Sequence, residues 1–109
     1  MASPASAASQ GAAICGGKYY FNNNTAAVQV DNCPGSGASW GWVWANDDWS
    51  WADLNVRLTD GTQTTVSTDG GTAKSKTFNA DIASWQICGH YWSWVGWPHY
   101  TDTCSAWFS

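Results

Sequence analysis

Glutamate is absent from this sequence of 109 residues, and positive charge is scarce. All eight acidic residues are aspartates, only four residues are Lys or Arg, and the net charge is −4. Nucleic-acid binding depends on clustered Lys and Arg that displace counterions from phosphates, and anionic membrane surfaces attract the same clusters. We therefore expect neither nucleic acid nor an anionic membrane surface as a partner.

Long apolar runs are also missing. No stretch approaches the ~20 apolar residues that span a bilayer, so we predict no membrane insertion. No window shows the apolar period of about 3.6 residues that marks an amphipathic helix.

Residues 1–13 are small and rich in Ala and Ser, like the segment after a signal-peptide cleavage site, with Met1 as an added start residue. We expect a disordered leader at 1–13 and one domain at 14–109.

The four cysteines include no Cys-x-x-Cys pair, which argues against a zinc knuckle and against a thioredoxin-type redox site. Widely spaced cysteines in a short chain are typical of disulfides, which persist in oxidising compartments. We predict two disulfides and a secreted, extracellular protein.

Short segments rich in Thr, Val, Trp, Tyr and Phe alternate with turns of Gly, Asn and Asp. This pattern is typical of β-strands joined by tight turns. We predict an all-β fold, a small antiparallel β-sandwich or barrel. Strand candidates outside the cysteine-containing hairpins are 54–58, 62–68, 74–78 and 83–87.

The first candidate hairpin joins 18–21 to 27–30 and turns at Asn23 or Asn24. Folding the chain at that turn brings Cys15 beside Cys33. A disulfide needs Cα atoms about 4.4–6.8 Å apart, which near-opposite strand positions provide.

The second candidate hairpin turns at Gly96. Folding there places Cys88 opposite Cys104, by the same geometric argument. The preferred pairs are therefore Cys15–Cys33 and Cys88–Cys104. A Cys15–Cys104 bridge stays open as the alternative.

Ten tryptophans are the most unusual feature of the composition. In a strand, Trp42 and Trp44 share one face, and so do Trp49 and Trp51. A hairpin turning at Asn46-Asp47 would set Trp44 opposite Trp49 and Trp42 opposite Trp51. The spacing thus predicts a ladder of stacked indoles, in which cross-strand aromatic pairs each add up to about 1 kcal/mol.

The alternation of the following strand predicts where that ladder points. Ala52, Leu54, Val56 and Leu58 form the apolar side and are the obvious core. The indoles share the other side, which we expect to face outward. A β-bulge near Ala52 would reverse this orientation. Two alternatives stay open: the tryptophans form part of the core, or the second hairpin covers the ladder with Trp92, Trp94, Trp97 and Tyr100.

Catalytic and metal-binding patterns are weak. The Gly96 hairpin places His90 opposite Asp102 and His99 opposite Ser93, and a His–Asp pair can orient a base. No serine lies in a nucleophile-elbow context, and every cysteine is assigned to a disulfide. We predict a protein that is not an enzyme, with no catalytic residue, no metal and no cofactor.

Three short segments carry a resemblance to a known group: 28–33 (VQVDNC), 84–89 (SWQICG) and 104–107 (CSAW). With the Ala/Ser-rich leader, they make the chain similar to small secreted two-disulfide β-sandwich proteins of actinobacteria. Some such proteins are inhibitors, and others are subunits of secreted antibacterial assemblies such as umbrella-shaped toxin particles. The resemblance implies a protein partner and assigns no individual functional residue.

The residues themselves, without the resemblance, favour a first hypothesis: a non-catalytic binding module for a polysaccharide or cell-wall glycan. Flat indoles stack on the apolar faces of sugar rings, and neighbouring polar groups bond the hydroxyls. The second hypothesis is a protein–protein adaptor subunit of a secreted antibacterial assembly, and the third is a secreted enzyme inhibitor. The predicted ligand-binding residues are Trp42, Trp44, Trp49, Trp51, Asp53, Asn55 and Arg57.

Overall fold

The computed structural model describes residues 14–21, 25–35 and 37–109. This part of the chain forms eight β-strands and no α-helix. None of its elements is a helix long and apolar enough to cross a membrane. The strands are β1 (Gly17–Phe21), β2 (Ala26–Asp31), β3 (Ser39–Ala45), β4 (Ser50–Leu58), β5 (Gln63–Asp69), β6 (Ala73–Phe78), β7 (Ile82–Ser93) and β8 (His99–Cys104).

Two antiparallel four-stranded sheets make up the sandwich. The first has the strand order β1-β2-β3-β6, and the second has the order β5-β4-β7-β8. Strict alternation of buried and half-buried residues in β3 and most of β4 identifies their inner faces. The core between the sheets is aliphatic, and its most deeply buried members include Val28, Val43, Leu54 and Ile87. The predicted all-β sandwich is therefore confirmed.

Both predicted disulfides are present, and the described residues contain no free cysteine. Cys15–Cys33 joins the segments that flank the β1–β2 hairpin, and Cys88 lies opposite Cys104 in the β7–β8 register. The alternative Cys15–Cys104 bridge is excluded. The predicted turn at residues 23–24 and the predicted leader at 1–13 fall outside the described residues.

The predicted tryptophan ladder is wrong. Strand β3 pairs with β2 and β6, whereas β4 pairs with β5 and β7, so the two strands lie in different sheets. The reason lies at the end of β3, where the backbone of Ala45 donates to Thr72 and accepts from Gly71. The 70–72 turn therefore takes the position that a returning β4 would need. Residues 46–49 carry the chain across to the other sheet instead of closing a hairpin.

The outward orientation of the tryptophans is nevertheless correct. The register of β4 against β7 is regular at Ala52, and its irregularity lies at Arg57 and Leu58. Trp51 is half-buried on the outer side, while Ala52 and Leu54 are fully buried on the inner side.

Two other tryptophans have packing partners elsewhere. Trp85 pairs with Phe108 through a β-bridge, and its ring lies 4.5 Å from the Phe108 ring and 6.0 Å from the Tyr19 ring. Trp107 is covered by the guanidinium of Arg57 at 3.7 Å. These rings hold the C-terminal segment against the sandwich, so they are assigned to structure and not to binding.

Candidate functional site

The predicted binding residues are divided between the two outer faces of the sandwich. Trp51 and the polar residues that follow it alternate outward along β4, on the β5-β4-β7-β8 sheet. Trp42 and Trp44 are half-buried on the outer face of the other sheet, where the Lys18 ammonium lies 5.2 Å from the Trp42 ring. No single ligand surface contains all of the predicted residues.

Polar side chains on the outer face of β4 bond to the strands on either side of it. The Asn55 amide donates to Gln86 Oε1 at 2.9 Å, and its oxygen accepts from Thr65 Oγ1 at 2.6 Å. Arg57 Nε donates to Gln63 Oε1 at 3.3 Å while its guanidinium stacks on Trp107. Asn55 and Arg57, predicted to bond ligand hydroxyls, are therefore engaged with other side chains of the protein.

A histidine between two carboxylates lies beside this network. Asp53 Oδ2 lies 2.8 Å from His90 Nε2, and Asp102 Oδ1 lies 2.7 Å from His90 Nδ1. Asp53 Oδ1 also accepts from Ser67 Oγ at 2.6 Å. The predicted opposition of His90 and Asp102 is confirmed. Since His90 is on β7, the triplet ties β4, β7 and β8 together, and β5 joins through Ser67.

Electrostatics favour the charged form of His90. Burial of the ring lowers its pKa, but hydrogen bonds to Asp102 and Asp53 and the charges of both carboxylates outweigh burial, so the pKa is raised above 6.5. Trp51 stacks on the same imidazole with the ring centroids 4.5 Å apart and the planes inclined by 9°. The imidazole is thereby fixed beneath an aromatic surface.

We predict that His90 adds pH dependence to stability. Below pH 6.5 the histidine is charged in the folded and unfolded states, so its pairing with the carboxylates contributes fully. The contribution is lost as the pH rises through the raised folded pKa. NMR titration of the His90 ring should give a pKa above 6.5, and Asp102→Asn should lower it. Urea unfolding of the wild type and of His90→Gln tests the effect on stability. If their midpoints differ by the same amount below pH 6.5 and above the folded pKa of His90, the prediction is contradicted.

Four exposed aromatic side chains and one exposed valine lie at the end of the sheet where β7 turns into β8. We call these five residues the aromatic tip, and 50% or more of each is accessible to solvent. They are Trp49 (67%), Trp94 (73%), Val95 (81%), Trp97 (67%) and Tyr100 (50%).

Ring contacts link the aromatic tip to Trp51. The Tyr100 ring lies 5.1 Å from the Trp51 ring and 4.9 Å from the Trp92 ring. Trp92 in turn lies 5.7 Å from Trp94 and 6.5 Å from Trp49. These rings lie side by side on one outer face, so the second hairpin extends the aromatic surface instead of covering it as a second core.

A groove of about 320 Å³ opens beside the aromatic tip, at the small end of the range for small-molecule sites. Three indoles line it, together with a phenol, a carboxylate and a hydroxyl: Trp49, Trp92, Trp94, Tyr91, Asp47 and Thr25. The Nε1 atom of Trp92 is buried and has no hydrogen-bond partner within the described residues. An unsatisfied buried donor costs about 1–3 kcal/mol, so this atom lowers the stability that the Trp92 ring contributes by packing.

Sequence reasoning missed most of this groove. The spacing of Trp92 and Trp94 predicts a shared face, and the Gly96 hairpin predicts their strand. Their proximity to Trp49 depends on the pairing of β4 with β7, which no turn signal indicates.

One cluster has side chains close enough to hold a metal ion among the described residues, namely Cys15, Asp31 and Cys33. Its two sulfurs are already joined in a disulfide. Since a metal-binding sulfur must be a free thiolate, this cluster is not a metal centre.

Comparison with protein-family models, with curated proteins and with solved structures finds no match for this chain. The aromatic tip, the groove and the His90 triplet are therefore the features of the molecule that bear on its function.

Proposed function

We propose that the protein is a secreted, non-catalytic binding module for a polysaccharide or cell-wall glycan, and that the aromatic tip is its binding surface. One observation carries the proposal: Trp49, Trp94 and Trp97 each expose about two thirds or more of their surface at one end of one sheet. Contiguous exposed aromatic surface on a soluble protein normally marks a binding site. The two disulfides suit the oxidising environment in which such a module works.

Indole rings bind sugars because the C–H faces of a sugar ring are flat and apolar. Polar groups must then bond the hydroxyls, and Asp102 is well placed for this role. Its side chain is 69% exposed, it uses Oδ1 for His90, and it lies two residues from Tyr100 on β8. The Asp53, Asn55 and Arg57 side chains support the face through their bonds to neighbouring strands.

A matched pair of tryptophan variants tests the proposal. Trp94→Ala should weaken binding about tenfold or more, since loss of one interfacial tryptophan commonly costs more than 1 kcal/mol. Trp42→Ala removes an indole from the opposite outer face and should leave binding unchanged. Depletion from solution by insoluble polysaccharides, and tryptophan fluorescence with soluble ones, give the affinities. If no polysaccharide binds, or if both variants lose binding equally, the aromatic tip is not a glycan site.

A second candidate function is a protein–protein adaptor, which the resemblance to secreted antibacterial assemblies also suggests. Val95 supports it, because this aliphatic side chain is 81% exposed between two exposed indoles. Tryptophan is enriched among the residues that contribute most to protein interfaces, and contiguous exposed apolar surface marks protein-interaction sites. A stoichiometric partner that co-purifies from the producer's culture supernatant, and that Trp97→Ala releases, would favour this function over glycan binding.

A further inference from the structure

The groove combines aromatic faces with negative charge. Trp92 is inclined to both neighbouring indoles, by 41° to Trp49 and by 79° to Trp94. Aromatic faces carry negative electrostatic potential, and tryptophan attracts cations most strongly. The indoles that line the groove therefore lie in differently inclined planes.

Asp47 supplies a formal charge at the same place. Its Oδ1 accepts a hydrogen bond from the Trp49 backbone N–H at 2.9 Å, which fixes the carboxylate beside the groove. Asp48, the next residue, is also exposed. The six lining residues include no Lys or Arg.

The cations nearest to aromatic rings are used elsewhere. Lys18 lies over Trp42 on the other sheet, and Arg57 lies over Trp107. With a net charge of −4 on the whole chain, nothing in the described groove neutralises Asp47. The groove therefore favours a positively charged occupant over a neutral one of the same shape.

We propose that this groove is a binding site for a small organic cation that carries a trimethylammonium group, such as choline. A trimethylammonium group is charged yet covered by methyl groups, so it gains cation–π attraction and apolar contact together. A primary ammonium is compact and strongly hydrated, and it pays more to leave water. The groove volume of about 320 Å³ suits a small solute rather than a polymer. This site does not depend on the proposed glycan binding.

The decisive comparison uses choline and its neutral isostere, 3,3-dimethyl-1-butanol, in which carbon replaces the quaternary nitrogen. Isothermal titration of the wild-type protein should show saturable choline binding with a dissociation constant on the order of 1 mM, as expected from a few cation–π contacts. The neutral isostere should bind at least about tenfold more weakly, and ethanolamine should also bind more weakly. Equal affinities for choline and the isostere would overturn the proposal, because they would show an apolar groove without preference for charge.

Three variants locate the site. Trp49→Ala should weaken choline binding about tenfold, whereas Trp42→Ala, which removes an indole from the outer face of the other sheet, should leave it unchanged. Asp47→Asn retains an oxygen that accepts from the Trp49 N–H but removes the charge, and it should weaken choline binding several-fold without unfolding the protein. Retention of full affinity by Trp49→Ala would also overturn the assignment.

Phosphatidylcholine vesicles distinguish a free solute from a lipid headgroup. The proposal expects free choline to bind in their absence and the vesicles to sediment no protein. Vesicle binding with no binding of free choline would contradict a small-solute site.

Discussion

Gly70→Ala is expected to unfold most of the protein or to destabilise it by about 3 kcal/mol or more, at or above the upper end for overpacked positions. A Cβ atom at Gly70 would lie 1.7 Å from the carbonyl oxygen of Asp47 and 2.5 Å from that of Ser50. Both are backbone atoms, so no side-chain rotation can make room. The 70–72 turn would have to move away from the 46–49 connection, which is where the chain passes between the sheets.

Equilibrium urea unfolding measures this effect, and Gly17→Ala is the matched control. A Cβ at Gly17, in β1, meets nothing within 4 Å. The free energy of unfolding of Gly17→Ala should therefore stay within the ±0.5 kcal/mol of the wild type that is typical of surface changes. If Gly70→Ala retains enough structure to be purified, it should also lose choline binding, because Asp47 borders the groove. Coincident unfolding curves for the two variants would refute the tight approach.

The 70–72 turn also explains why the sequence does not reveal that β3 and β4 lie in different sheets. Asn46 to Trp49 has the composition of a turn, and such a segment suits a hairpin as well as a step between sheets. The choice is made by Thr72 and Gly71, which bond to Ala45 from far along the chain. Local composition contains no information on that pairing.

Where a pairing is local, sequence reasoning succeeds. The sequence predicts the β1–β2 and β7–β8 hairpins with their cysteine partners, because the two strands of each pair are close together along the chain. Alternation alone also predicted that Trp51 and Asp53 point away from Leu54.

Most of the candidate site depends on pairing that is not local. His90 stacks on Trp51 because β7 lies beside β4, although β5 and β6 intervene in sequence. In the sequence, Trp51 is part of a strand pattern and His90 is predicted opposite Asp102, and neither pattern indicates the other residue. Only the sheet order shows that they belong to one surface.

Removal of the Cys88–Cys104 disulfide is the second large effect. With a sequence separation of 16 between the cysteines, the loop-entropy model gives a loss of about 3 kcal/mol for Cys88→Ala with Cys104→Ala. Removal of Cys15–Cys33, with a separation of 18, should cost nearly the same by that model. The two double variants are therefore matched in global stability, and their unfolding midpoints should be similar.

They should differ in where the structure loosens. Among the described strands, β8 lies at the edge of its sheet next to β7, and it holds Tyr100 and Asp102. Without Cys88–Cys104, amide hydrogen exchange should accelerate in β8, the His90 pKa should fall as Asp102 separates, and binding at the aromatic tip should weaken. Without Cys15–Cys33, exchange should accelerate in β1, another edge strand, while His90 and the aromatic tip keep their wild-type behaviour. Equal loosening of both hairpins in either variant would show that the sandwich opens as one unit, and the disulfide beside His90 would then have no particular role in holding the site.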